Sequence, residues 1–393
     1  PYTTLFRSIS SSKLNLRVSL FTLARLFVAT SFRMVYPFIA VFAAGLKVPI
    51  TTISLAMAVS MAASAVVPFL APIADRRGRK TGMLIGMGIF LAGTLAASLF
   101  PHIITFFFTI LLCNLGNNLL ISAIQAYLGD HVAYQKRGLY LAISELSWAL
   151  SFIVMVPLAG LVLGKSNWNA PFFWLTGIGA LMMVVLWLAV PADRPLENEP
   201  LTIFKDIRTV LSSTPAVIGM AMGTAFIIGN ELVNVVFGVW MQDSFGLEIA
   251  ALGVASMVIG FSELGGEGLA ALLADRVGKE RLMAISFMLN GLWVISLPRL
   301  GQSQAGAFVW LFVFYLTFEI GIVIALPVMT EVVPQARATM MALFIAALSI
   351  GRALGDVVAP ILYIHGFIVN AIACLVLDLI AVFLLSRIHV RKR

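Results

Sequence analysis

Apolar positions dominate the chain in long continuous runs broken by short polar segments, rather than alternating or recurring on one face. Runs near residues 18–45, 50–73, 81–100, 103–129, 138–163, 168–190, 214–241, 248–272, 281–298, 304–331, 338–362 and 366–387 are each long enough, or nearly so, to cross a hydrocarbon core of about 30 Å as a helix. The pattern predicts an all-α integral membrane protein with twelve spans, numbered here in chain order. It argues against a β-barrel, whose strands alternate over about ten residues. The main interruption, 191–213, reads PADRPLENEPLTIFKDIRTVLSS. It divides the chain into halves, 1–190 and 214–393. Pro191, Pro195 and Pro200 end the sixth helix and keep the chain extended. Leu201, Phe204, Ile207 and Leu211 then recur at helical spacing, which suits a short amphipathic surface helix or, equally, a solvated linker.

Composition agrees: 61% of residues are hydrophobic, 11% are charged, and mean hydropathy is +1.01. A soluble domain of 393 residues could not cover so much apolar surface with so few charges. The net charge of +8 reports topology rather than a nucleic-acid ligand. Of the 26 Lys and Arg, only Lys47, Lys165 and Arg299 fall in loops on the side opposite the termini. That asymmetry predicts both termini in the cytoplasm and the protein in the cell membrane. Cys113 and Cys374 lie inside apolar runs, leaving no disulfide framework, and no metal-ligand spacing occurs. No cofactor is expected.

One loop signature is written twice, two hundred residues apart. APIADRRGRK at 71–80 and ALLADRVGKE at 271–280 share Asp75/Asp275, Arg76/Arg276, Gly78/Gly278 and the basic Arg79/Lys279. The correspondence extends to the ends of spans 4 and 10, where Asp130 matches Glu331 and Arg137 matches Arg337 with one residue of slippage. Two homologous halves of membrane helices are the layout of an alternating-access transporter.

On these residues the chain resembles the major facilitator superfamily over essentially its whole length. The family's loop motif G-x-x-x-D-R-x-G-R-R/K between spans 2 and 3 fits 71–80 except for Ala71. The resemblance implies two pseudo-symmetric six-helix halves. It also implies latch roles for Asp75, Arg76, Gly78, Arg79, Asp130, Arg137, Asp275, Arg276 and Gly278, which in similar transporters hold the halves in an outward-open state. A carboxylate near a helix N-terminus is favourable by about 0.3–1 kcal/mol. The family's antiporters carry Gly-Pro-x-x-Gly in span 5. The partial match VPLAG, with Val156 for the first Gly, leans toward antiport with protons. The mid-span-4 Arg of such antiporters is absent: Leu112, Cys113, Asn114 and Leu115 precede Gly116.

A charge at mid-bilayer is costly without a cavity or a partner, so each such residue is a functional candidate. Span 1 carries Thr22, Arg25, Arg33 and Tyr36 on one stripe, and span 4 carries Asn114, Asn118, Ser122 and Gln125, with Asn117 beside them. Span 7 holds Asn230, Glu231 and Asn234, and span 10 holds Glu319. In the superfamily these four spans line the central cavity, although an Asn stripe also serves as glue between helices. Arg33 corresponds to Val233 under the repeat, which predicts Arg33 and Glu231 facing each other as a gate or as two poles of a substrate site. Arg352 and Asp356 in span 11 have the spacing of a structural ion pair. Glu263 and Glu267 in span 8 have the same spacing with like charge, which suits a proton carrier. Glu231, Glu263 and Asp356 are the candidates for proton coupling, in that order. Glu145 suits a latch, and Asp378 in span 12 has no assigned role.

The expected function is a monomeric secondary transporter coupled to protons, with Na⁺ as the alternative ion. Its substrate is a small amphipathic or organic solute, and Arg25 and Arg33 favour an anionic group on it. Efflux is preferred, with uptake of an organic anion or movement of a lipid-like amphiphile as alternatives. No Gly-rich phosphate loop supports an ATP-driven pump. An enzyme finds no Ser/His/Asp grouping, since the four His (His102, His131, His365 and His389) lie near membrane edges. A receptor of the same fold would not need carboxylates in several cavity helices.

Overall fold

The computed structural model describes residues 11–66, 78–191 and 203–388, and these are helical with no strand among them. Ten helices are long and apolar enough to span a membrane by length and composition. Ser11–Arg33 falls just short of that test, yet with Ile39–Leu46 it forms span 1, and Ile50–Ser64 begins span 2. Spans 3 to 6 follow as Arg79–Leu99, Ile103–His131, Tyr134–Leu163 (with a π-turn at Ser151–Met155) and Ala170–Ala189. The second half contains Thr214–Phe245, Ile249–Val277, Lys279–Leu300, Gln304–Val332, Arg337–Tyr363 and Phe367–Leu385. The fold is twelve helices in two six-helix halves.

Two helices break where the repeat places them in register. Span 1 stops at Arg33 and resumes at Ile39, and span 7 stops at Asn234 and resumes at Phe237. Pro37 has no N–H for a helical bond, so the first break follows from sequence. It leaves Arg33 in the last turn of its helix, where a cation complements exposed carbonyls. The two breaks meet: a Cβ on Gly238 would collide with the Pro37 carbonyl, so only glycine allows this approach.

Span 2 packs along span 11 and span 5 along span 8, which joins the halves. Gly160 approaches the Ile249 carbonyl, and Gly253 approaches the Pro157 backbone. The VPLAG run is therefore part of this seam. These approaches, with the one at Gly238, lie toward the side opposite the chain termini.

The repeat signature forms matching structures at the termini side. Gly78 (φ +93°) and Gly278 (φ +90°) take a backbone conformation that a Cβ disfavours, and each starts the following helix. Beside them Arg79 Nε bonds Asp130 Oδ2 at 2.9 Å, and Lys279 Nζ bonds Glu331 Oε1 at 2.9 Å. Asp75 and Arg76 lie outside the described residues. Asp275 and Arg276 are exposed at the end of span 8 and form no ion pair among the described residues, while Arg137 donates to the Val132 carbonyl at 3.0 Å. The linker holds a helix at Ile203–Leu211, with its apolar contact rotated from the expected face: Val210 is buried, whereas Leu211 is 52% exposed.

Candidate functional site

A cavity of about 250 Å³ lies between the halves, on the termini side of the seam. Of the residues expected to line it, Arg33, Tyr36, Asn114, Asn117, Asn118, Asn230, Asn234 and Glu319 do. Arg25, Gln125 and Glu231 do not. Arg25 forms a two-pronged pair with Glu145 (2.7 and 2.9 Å) and bonds Ser144 Oγ at 2.9 Å, while Gln125 reaches the same carboxylate at 3.4 Å. Spans 1, 4 and 5 are joined there, all within the N-terminal half.

The geometry corrects two pairings. Arg33 does not face Glu231. Its Nη2 bonds Glu263 Oε1 at 2.5 Å, its Nη1 bonds the Trp148 carbonyl at 2.5 Å and Ser151 Oγ at 3.1 Å, and its guanidinium lies over the rings of Trp148 (4.0 Å) and Phe152 (3.6 Å). Nor does Arg352 pair with Asp356. Arg352 is bonded to Glu231 of span 7, and neither oxygen of the buried Asp356 has a partner among the described residues. The physical reason is rotational. Helical spacing puts Arg352 and Asp356 on one side of span 11, but Gly355 between them lets span 7 come close enough to present Glu231 directly to the guanidinium.

In the C-terminal half, Tyr315 donates to Asn234 Oδ1 at 2.8 Å, Asn234 donates to Glu231 Oε2 at 3.0 Å, and Arg352 completes the chain. In the N-terminal half, Asn114 donates to Ser60 Oγ at 3.0 Å and Asn118 to Ser64 Oγ at 3.1 Å. The Asn stripe thus both lines the cavity and ties span 4 to span 2. Between described residues, Arg33–Glu263 is the one ion pair that joins the halves. Charge spacing missed Trp148, Phe152 and Tyr315. For the first two a signal was present, because Pro157 leaves the Ile153 carbonyl without its helical donor and a π-turn forms just before it, at a type of irregularity frequent in functional sites. Among the described residues, no group of three or more His, Cys, Asp or Glu could hold a metal ion.

The fold is shared with solved transporters. A bacterial homolog of the human lysosomal transporter Spinster matches in two inward-facing structures, one unoccupied and one occupied. The TM-score is 0.76 for each, at 14% and 15% identity, covering 97% and 98% of this chain and 98% and 99% of the other. The MFS-type transporters YceJ and YwfA of Bacillus subtilis (strain 168), themselves uncharacterized, are each 24% identical. The matches cover 74% of this chain and 75% of YceJ, and 83% and 80% for YwfA. The multidrug transporter MdfA of Yersinia pestis is 26% identical over 45% of this chain and 48% of its own length. The Major Facilitator Superfamily profile matches residues 21–330 and 219–393. Spanning the membrane many times around a central cavity, and matching that profile across almost all its length, the chain belongs to the Major Facilitator Superfamily and is a transporter rather than an enzyme.

Proposed function

We propose that this transporter is proton-coupled and exports a small amphipathic organic solute by alternating access. In this reading residues 1–190 and 214–393 rock as two bodies joined by a cytoplasmic linker at 191–213. Both termini are cytoplasmic, the protein acts as a monomer in the cell membrane, and the cavity faces inward. The partial antiporter run in span 5 and the likeness to a multidrug transporter support efflux.

The buried Arg33–Glu263 pair carries the coupling. Rocking separates groups that belong to different halves and leaves pairs within one half together. Breaking a buried pair strands a charge in a medium of low dielectric constant, at a cost of several kcal/mol. A proton on Glu263 removes the carboxylate's share of that cost, and Arg33 keeps the Trp148 carbonyl, Ser151 and two ring faces of its own half, so protonation permits the movement. Glu231 and Arg352 both belong to the C-terminal half and travel together, as does Asp356. Glu263 therefore precedes Glu231 and Asp356 as proton carrier. The paired state of Arg33 also withdraws the expected support for an anionic solute.

The test uses proteoliposomes with an imposed pH gradient and a solute selected by thermal shift, where a ligand at 100 Kd adds about 2.7 kcal/mol. Glu263→Gln is expected to bind the solute but to lose gradient-driven transport, while Glu231→Gln retains it. The opposite result moves the proton site to span 7. A wild-type protein indifferent to both H⁺ and Na⁺ gradients leaves facilitated diffusion.

A further inference from the structure

Four polar groups on the cavity wall have no hydrogen-bond partner among the described residues. Tyr36 Oη, Asn230 Nδ2 and Glu263 Oε2 are fully buried. The fourth is the Glu319 carboxylate, on a residue 8% exposed, which takes part in no hydrogen bond or ion pair among the described residues. The Glu319 stem lies against Gly266 of span 8, where a Cβ would be only 2.6 Å away.

The balance of charge is uneven. Two guanidinium groups line the cavity, and each is already bonded to a carboxylate: Arg33 to Glu263 and Arg352 to Glu231. Glu319 is the acid left over. An anionic group would meet two guanidinium groups that each already hold a carboxylate. An unpaired carboxylate in a low-dielectric cavity instead favours a positive group, and aromatic faces add to that attraction when the cation is desolvated. Phe32, Tyr315 and Phe318 line the same space.

We propose that the transported solute carries a positively charged group, that Glu319 receives it, and that its apolar body rests against Phe32, Tyr315 and Phe318. This rests on the transporter reading but not on the proton coupling.

Two ions of nearly equal shape and opposite charge, tetraphenylphosphonium and tetraphenylborate, test it, with benzyltrimethylammonium as a smaller cation. Equilibrium binding to the purified full chain in detergent needs no gradient. The expected result is saturable binding of a cation and none of tetraphenylborate, each titrated separately because the two kinds of ion pair with each other in solution. Glu319→Gln should weaken that binding at least tenfold, while Glu319→Asp keeps most of it. The proposal is overturned by binding of neither cation, by equally tight binding of the borate in its own titration, or by unchanged affinity in a folded Glu319→Gln variant. Should Glu319→Gln fail to fold, the phosphonium–borate comparison on the wild-type chain decides. Cation binding without any response to a pH gradient would sink the coupling and leave this inference standing. Gradient-driven transport by a protein that rejects both cations would do the reverse.

Discussion

The two halves share a fold and a loop signature but divide the chemistry of the cavity between them. The N-terminal wall sets amides and hydroxyls among aromatic and aliphatic side chains, with Asn114 and Asn118 bonded to serines of span 2, and its one cavity-lining charge is Arg33. The C-terminal wall holds Glu263, Glu319 and Arg352, with Glu231 and Asp356 buried behind. The N-terminal charge is spent on the partner half, so repeat symmetry governs where the helices break and latch but not which half holds the acids. This separation suits alternating access, because a charge that sits in one half and is answered from the other responds when the two move.

The largest expected effect comes from Arg33, the point where the two walls meet. Arg33→Ala should destabilise the protein by about 3–5 kcal/mol, because it leaves Glu263 buried without its partner. Arg33→Lys should recover little, since one ammonium cannot reach Glu263, the Trp148 carbonyl and Ser151 while filling the space between two rings. Thermal unfolding in detergent measures both. A Lys variant close to wild type would reduce Arg33 to a point charge. Arg33→Gln combined with Glu263→Gln should cost less than the sum of the two single changes.

Next come the amides, which sharpen the contrast between walls. Asn234→Ala removes the donor to Glu231 and the acceptor of Tyr315 and should cost about 1–3 kcal/mol. Asn114→Ala removes the donor to Ser60 and, more weakly, to Met61 Sδ, and the acceptor of Asn118. A bond between membrane helices is typically worth about 0.6 kcal/mol, so the loss should stay at about 1 kcal/mol. Equal losses for the two in the same unfolding assay would erase the division of labour.

The smallest effect belongs to the loop-end ion pairs, where the halves are alike. Arg79→Ala and Lys279→Ala should each cost no more than about 1 kcal/mol, since their partners are half exposed and screened by salt. Near-equal changes that fade at high ionic strength would support equivalence. A large loss for one alone would show that the two pairs have diverged.

Much of this was legible in the chain. Long apolar runs dictate membrane helices because backbone groups inside lipid must bond within their own segment. The two copies of A-D-R-x-G reveal the halves, Gly78 and Gly278 reveal the turns, and Pro37 reveals the break in span 1. The scarcity of charge made the wall residues easy to nominate, and most of those nominated do line the cavity.

The pairings were not legible. Helical periodicity tells which residues share a face, but not how far each helix is rotated against neighbours distant in sequence. Arg33 and Glu263 are 230 residues apart, and Arg352 and Glu231 are 121 apart. Arg352 and Asp356, four apart, looked the better pair. The sequence by itself determined a twelve-helix membrane protein of two homologous halves with polar groups at mid-depth, because hydrophobic length and repeat spacing are local properties of the chain. The tertiary structure alone decided which acid answers which arginine and that Glu319 and Asp356 are left unanswered among the described residues, because that depends on helix rotation and on close approaches such as the one at Gly355.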